Sequence, residues 1–122
     1  MGKKVLLIEE HDSFRHFLGT YLAQQFEVFG AADEIDAMTT LHQGLLPDAI
    51  IASARLAGKN ASQLLTALRY SGLFADIPVV IIGDNNLESE RERFTMAGAS
   101  AYFCKPFNPV LLHEHIVRVA AG

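Results

Sequence analysis

Four short stretches of this sequence hold most of its side chains with reactive or ligating chemistry. Glu9-Glu10-His11-Asp12 follows the apolar run Val5–Ile8, and Ser53 closes the run Ala49–Ala52 inside "PDAIIASARLAG". Gly83-Asp84-Asn85-Asn86 follows "IPVVII", and Lys105-Pro106 follows Ala101–Cys104. Adjacent carboxylates such as Glu9 and Glu10 can hold a hard divalent cation. Without a cation they raise each other's pKa. A serine hydroxyl is a poor nucleophile unless a base or a metal activates it. Lysine supplies a charge to a carboxylate or a phosphoryl group. Brought together, these groups would make an acidic pocket with one hydroxyl and one cation.

Other candidates are weaker. The five histidines are His11, His16, His42, His113 and His115. His113 and His115 are two apart and face apart on a helix, so they are no zinc pair. Cys104 ends an apolar strand and reads as packing. No Walker or dinucleotide glycine pattern occurs.

The elements that must position the pocket alternate along the chain. Strands are expected at Val5–Ile8, Glu27–Ala31, residues 49–53, residues 77–82 and Ala101–Cys104. They are apolar runs, as in strands buried on both faces. The first helix spans 13–25 with Asp12 or Ser13 as cap and Phe14, Phe17, Leu18, Tyr21 and Leu22 inward. The second is capped by Asp33, with stripe Ile35, Met38 and Leu41, and ends at Gly44. The third opens at Asn60 or Ser62, turns Leu64, Leu65 and Leu68 inward, and stops by Gly72. The fourth spans Leu87–Ala97 and is too charged to pack on more than a narrow side. The fifth is capped by Asn108, starts at Pro109, and buries Leu111, Leu112, Ile116 and Val119.

Strand then helix, five times over, implies a doubly wound α/β fold: a five-stranded parallel sheet with helices on both faces. Ligands in such folds bind outside the carboxyl ends of the strands. All four chemistry-bearing stretches fall there.

With 122 residues the chain is expected to be one domain, residues 1–122. It is 50% hydrophobic and 20% charged, with a net charge of −4 and interspersed signs. That balance shows neither a nucleic-acid nor a membrane footprint. No apolar run approaches a membrane span, and one cysteine permits no internal disulfide, so a cytoplasmic location is expected.

Over about residues 3–119 the chain resembles the receiver domain of bacterial two-component response regulators. "VLLIEEHDSFR" looks like that family's first strand and acidic pair, and "IPVVIIG" like its fourth strand. "AGASAYFCKPF" is the most specific match. The resemblance implies a flavodoxin-like sheet of order 2-1-3-4-5. It places the Mg²⁺-holding acids at Glu9 and Glu10, the charge-balancing lysine at Lys105 and the switch aromatic at Tyr102. The phosphoacceptor aspartate falls on Ser53 and the phosphoryl-binding hydroxyl on Gly83, so the two reactive positions depart from the family pattern.

From these departures the chain is read as a degenerate, non-enzymatic receiver, a pseudo-receiver acting by protein–protein interaction without phosphorylation. Lys105 is expected to pair with Glu9 or Glu10, which otherwise crowd, with Ser53 hydrogen-bonded beside the pair. Mg²⁺ binding would be weak or absent. The implied partners are signalling proteins: a histidine kinase, an output domain, a regulator, or a second copy of the chain. Their expected face is the fourth helix, fifth strand and fifth helix, through Arg91, Phe94, Thr95, Tyr102, His113 and Arg118. Two alternatives stay open. One is a phosphorelay receiver using Ser53 or Glu10 as an unusual acceptor. The other is a flavodoxin-like cofactor binder, against which stands the lack of a hydroxyl- and glycine-rich loop after the first strand.

Overall fold

Each central strand is an apolar run, broken only at its ends as by Lys4 and Ser53, because both of its faces are covered. The computed structural model describes residues 2–121. It contains β1 (Lys4–Ile8), α1 (Asp12–Leu22), β2 (Glu27–Ala31), α2 (Glu34–His42), β3 (Ala49–Ser53), β4 (Arg55–Leu56), β5 (Lys59–Asn60), α3 (Ser62–Tyr70), β6 (Val79–Gly83), α4 (Glu88–Met96), β7 (Ala101–Cys104) and α5 (Pro109–Ala121). The main sheet has the order β2-β1-β3-β6-β7 with every pair parallel. Numbered by its own strands, that is the expected 2-1-3-4-5. Alternation sends Leu6, Ile8, Ile50, Ala52 and Ile81 to one face, against α2, α3 and Phe94 of α4. Val5, Leu7, Ile51, Val80 and Ile82 go to the other, against α1 and α5. Among the described residues, no helix is long and apolar enough to cross a membrane.

Several expectations need correction. β4 and β5, outside the five expected strands, form a separate antiparallel hairpin. α1 stops at Leu22, and its N-cap residue is His11, with no side-chain cap bond. Asp12 instead pairs with Arg15 one turn on, at 2.5 Å. Phe17, Ile35 and Leu111 are exposed rather than inward. At about 100° per residue they lie roughly 120–140° from the buried midlines of their helices. A helix lying on a sheet buries only a narrow line: Leu18–Leu22 in α1, Ala37–Leu41 in α2, and Leu112–Ile116–Ala120 in α5. Two caps form: Asp33 accepts from Asp36 N at 2.8 Å and Asn108 from Val110 N at 2.9 Å. In α3 the N-cap is Ala61, with no side-chain cap bond, and Asn60 just before it accepts from Ser62 N at 2.8 Å.

A matched pair of isoleucines tests this assignment. Ile50 is 0% exposed and Ile35 is 78% exposed. Ile50→Ala is expected to cost about 2–5 kcal/mol in urea unfolding, whereas Ile35→Ala should stay within about 0.5 kcal/mol of the parent.

Candidate functional site

Sheet register assembles the pocket. Ile8 pairs with Ala52, so the next residues along, Glu9 and Ser53, lie side by side. Gly83 pairs with Cys104, which brings the following Asp84 and Lys105 together. The edge continues in hydrogen bonds beyond the strands, Glu9 N to Ala31 O and Lys105 N to Gly83 O, both 2.9 Å. These groups line a cavity of about 250 Å³ with Glu10, His11 and Arg55.

Glu9 is its centre, a carboxylate only 1% exposed. Its Oε1 accepts the Ser53 hydroxyl proton. Its Oε2 accepts from the His11 backbone N–H at 2.8 Å and lies 3.0 Å from His11 Nδ1. Lys105 Nζ stands 4.0 Å from Glu9 Oε1, 3.6 Å from Asp84 Oδ1 and 4.2 Å above the Phe14 ring. Burial pushes the Glu9 pKa up, but the bonds from Ser53 and His11 and the charge of Lys105 outweigh it, so the net shift is downward. The expected crowding of two carboxylates does not occur. Glu10 turns outward and accepts from Ala57 N at 2.8 Å, which ties down the β4–β5 turn, where Ala57 has φ 53°. The Lys105 pair therefore forms with Glu9 and not Glu10, and Ser53 is bonded to the same carboxylate.

One member, Arg15, escaped sequence reasoning; His11 stood in the expected acidic stretch, though not as a partner of Glu9. His11 supplies two of the contacts to Glu9. Arg15 donates to Glu9 O at 2.6 Å and anchors the turn below the pocket. The signal for Arg15 was its one-turn spacing from Asp12.

The response regulator receiver domain family model matches residues 5–117. The chain belongs to that family. It is 29% identical, over 98% of its length, to a nitrate/nitrite response regulator protein homolog of Haemophilus influenzae. It is 25% identical, over 96% of its length, to the sensor histidine kinase TmoS of Ectopseudomonas mendocina. It spans 57% and 12% of those two proteins. The crystal structure of a protein described as a response regulator from Chloroflexus aurantiacus superposes with a TM-score of 0.92 at 25% identity, each chain covered fully.

Receiver domains typically bind Mg²⁺ at this acidic pocket. The residues of this receiver do not fit that ion. Mg²⁺ needs near-octahedral oxygen ligands, carboxylates among them. Both Glu9 oxygens are engaged, one Glu10 oxygen at the rim is tied to Ala57 N, Ser53 carries no charge, and the Lys105 ammonium stands 4.0 Å from Glu9 Oε1.

On the α4–β7–α5 face, Arg91 donates to Tyr102 O and to Asn86 Oδ1, both at 3.1 Å. Thr95 and Arg118 are exposed. Three expected contact residues are not on this surface: Tyr102, whose ring is buried, Phe94 and His113. Phe94 is 0% exposed because it is the one residue of the charged α4 that reaches the core. His113 packs on Tyr21 of α1 and on Phe26, facing the other way. His115 faces β7 in its place, against Phe103 and Ser100.

Folding lowers the Glu9 pKa, so its contribution to stability is full above the ordinary value of 4.5 and is lost as pH falls through the folded value. Ser53→Ala, which leaves a buried charge short of a donor, should cost about 1–3 kcal/mol at pH 7. That cost should shrink in unfolding curves taken below pH 4. Lys105→Met should cost less, about 1 kcal/mol, since the Lys105 side chain is 31% exposed at 4.0 Å from its partner.

Proposed function

We propose that this receiver domain signals by binding, without a phosphorylation step, as a non-enzymatic interaction module of the cytoplasm. The reading rests on Ser53 standing at the acceptor position. Its hydroxyl gives its only proton to a buried carboxylate that is itself fully engaged. Attack on phosphorus requires a charged oxygen, or a hydroxyl activated by a base. Glu9 is a poor base because its environment lowers its pKa. Gly83 offers no hydroxyl at the position where relatives bind the phosphoryl group. Lys105 is already engaged by Glu9, Asp84 and Phe14. The buried Glu9 charge is met by Ser53, His11 and Lys105, which supports a resting state independent of Mg²⁺ and of a phosphodonor.

The partner face consistent with this reading is α4–β7–α5, presented through Arg91, Thr95, Arg118 and His115. Receiver domains work with histidine kinases and output domains. A kinase, an output domain, a regulator or a second copy is the class of partner proposed here. With no modification to act as signal, partner binding itself would shift the population of states.

Incubation with acetyl phosphate and Mg²⁺ followed by intact-mass measurement tests the proposal. No mass gain is expected for the native chain, and Mn²⁺ should not broaden the amide resonances of Glu9 and Glu10. A stoichiometric gain of one phosphoryl group, acid-stable if on Ser53 or acid-labile if on Glu10, would show that one of them is an acceptor after all and end the binding-only reading. Ser53→Asp is expected to restore both Mn²⁺ broadening and phosphoryl uptake.

A further inference from the structure

We propose that Gly83 and Tyr102 form a fixed latch: the volume left empty by the missing side chain at 83 is filled by the Tyr102 phenol, which holds the start of α4 and the edge of β7 in one arrangement. The latch deepens the binding-only reading above, since it would explain how the partner face is shaped with no modification.

Backbone geometry does not demand a glycine at this position. The described glycines with positive φ are Gly44, Gly58 and Gly98, and Gly83 is not among them. Space demands it instead. A Cβ on Gly83 would lie 2.0 Å from Tyr102 Oη, 2.5 Å from Cζ and 3.0 Å from Cε2. A Cβ at 83 and the Tyr102 ring in its present position therefore exclude each other.

The ring is also held from its other sides. Tyr102 Oη donates to Asn85 O at 2.8 Å, which ties β7 to the loop after β6. Phe94 stacks on the ring with centroids 5.8 Å apart and planes 26° apart. The Arg91 guanidinium stands 5.2 Å from the ring centroid and bonds the Tyr102 carbonyl and Asn86. The loop, the first turns of α4 and the β7 edge are thus joined through one buried phenol. An alanine at 83 would have to expel the ring and break the Asn85 bond and the Phe94 stack together.

The test is a two-by-two set: Gly83→Ala and the unchanged glycine, each with Tyr102 and with Tyr102→Ala. Urea unfolding and the Tyr102–Phe94 ring NOEs are read, with no phosphodonor present. The expected result is that Gly83→Ala lowers the unfolding midpoint and abolishes the NOEs when Tyr102 is present. In the Tyr102→Ala background the same change should be neutral or slightly stabilising, because alanine restricts the unfolded chain more than glycine does. Folding of Gly83→Ala only in the Tyr102→Ala background would also support the latch. Equal effects in both backgrounds, failure to fold in both, or intact NOEs in Gly83→Ala would overturn it. Because no phosphoryl chemistry is read, a failed latch leaves the mass measurement unaffected, and the converse holds too.

Discussion

A carboxylate buried at the end of a central strand must have its charge met by the protein around it, and Glu9 imposes that condition on its neighbours. Desolvating an ionised group costs several kcal/mol unless hydrogen bonds and an opposite charge compensate. Here the compensation comes from Ser53 on β3, from His11 at the start of α1 and from Lys105 after β7. Three separate segments are thus drawn to one atom group. The Arg15 bond to the Glu9 carbonyl adds a fourth tie. Glu10, one residue later, bears no such demand because it reaches water, and it stabilises a turn instead.

The same condition accounts for the chemistry proposed for the pocket. A serine beside Glu9 is a donor, whereas an aspartate there would be a second charge in need of a cation. A serine there adds a donor to Glu9 and no charge of its own. Lys105 has two carboxylates and an aromatic face within reach. One strand further along the edge, the absence of a side chain at Gly83 works through volume rather than charge. It leaves room that the Tyr102 ring occupies, and the ring carries that local fact to the surface through Asn85 and Arg91.

The relatives set the scale of what this domain does alone. It corresponds to a little over half of one curated relative and to an eighth or so of another, a kinase. The charged α4, with Phe94 as its single buried residue, leaves most of its surface to solvent.

Much was legible before any coordinates. Unbroken apolar runs at Val5–Ile8 and Ala49–Ala52 require cover on both faces, and turn and cap residues separate them from helices, so the doubly wound sheet followed. Strands β3 and β7 were bounded correctly because each ends where a polar or charged residue begins. The residues of the pocket were legible for the same reason, as polar groups at strand ends. Their pairing was not. Which of Glu9 and Glu10 turns inward depends on the pleat of β1 against β3. Whether Phe94 faces a partner or the core depends on how α4 sits on the sheet. Tyr102 in the space over Gly83 is a contact between segments whose approach no local pattern encodes. Composition and periodicity determined the elements and the edge where chemistry collects, because burial acts on each strand and helix separately. Only the tertiary structure decided which charge is buried and what fills the gap at Gly83, because those outcomes depend on distances of a few ångströms between distant parts of the chain.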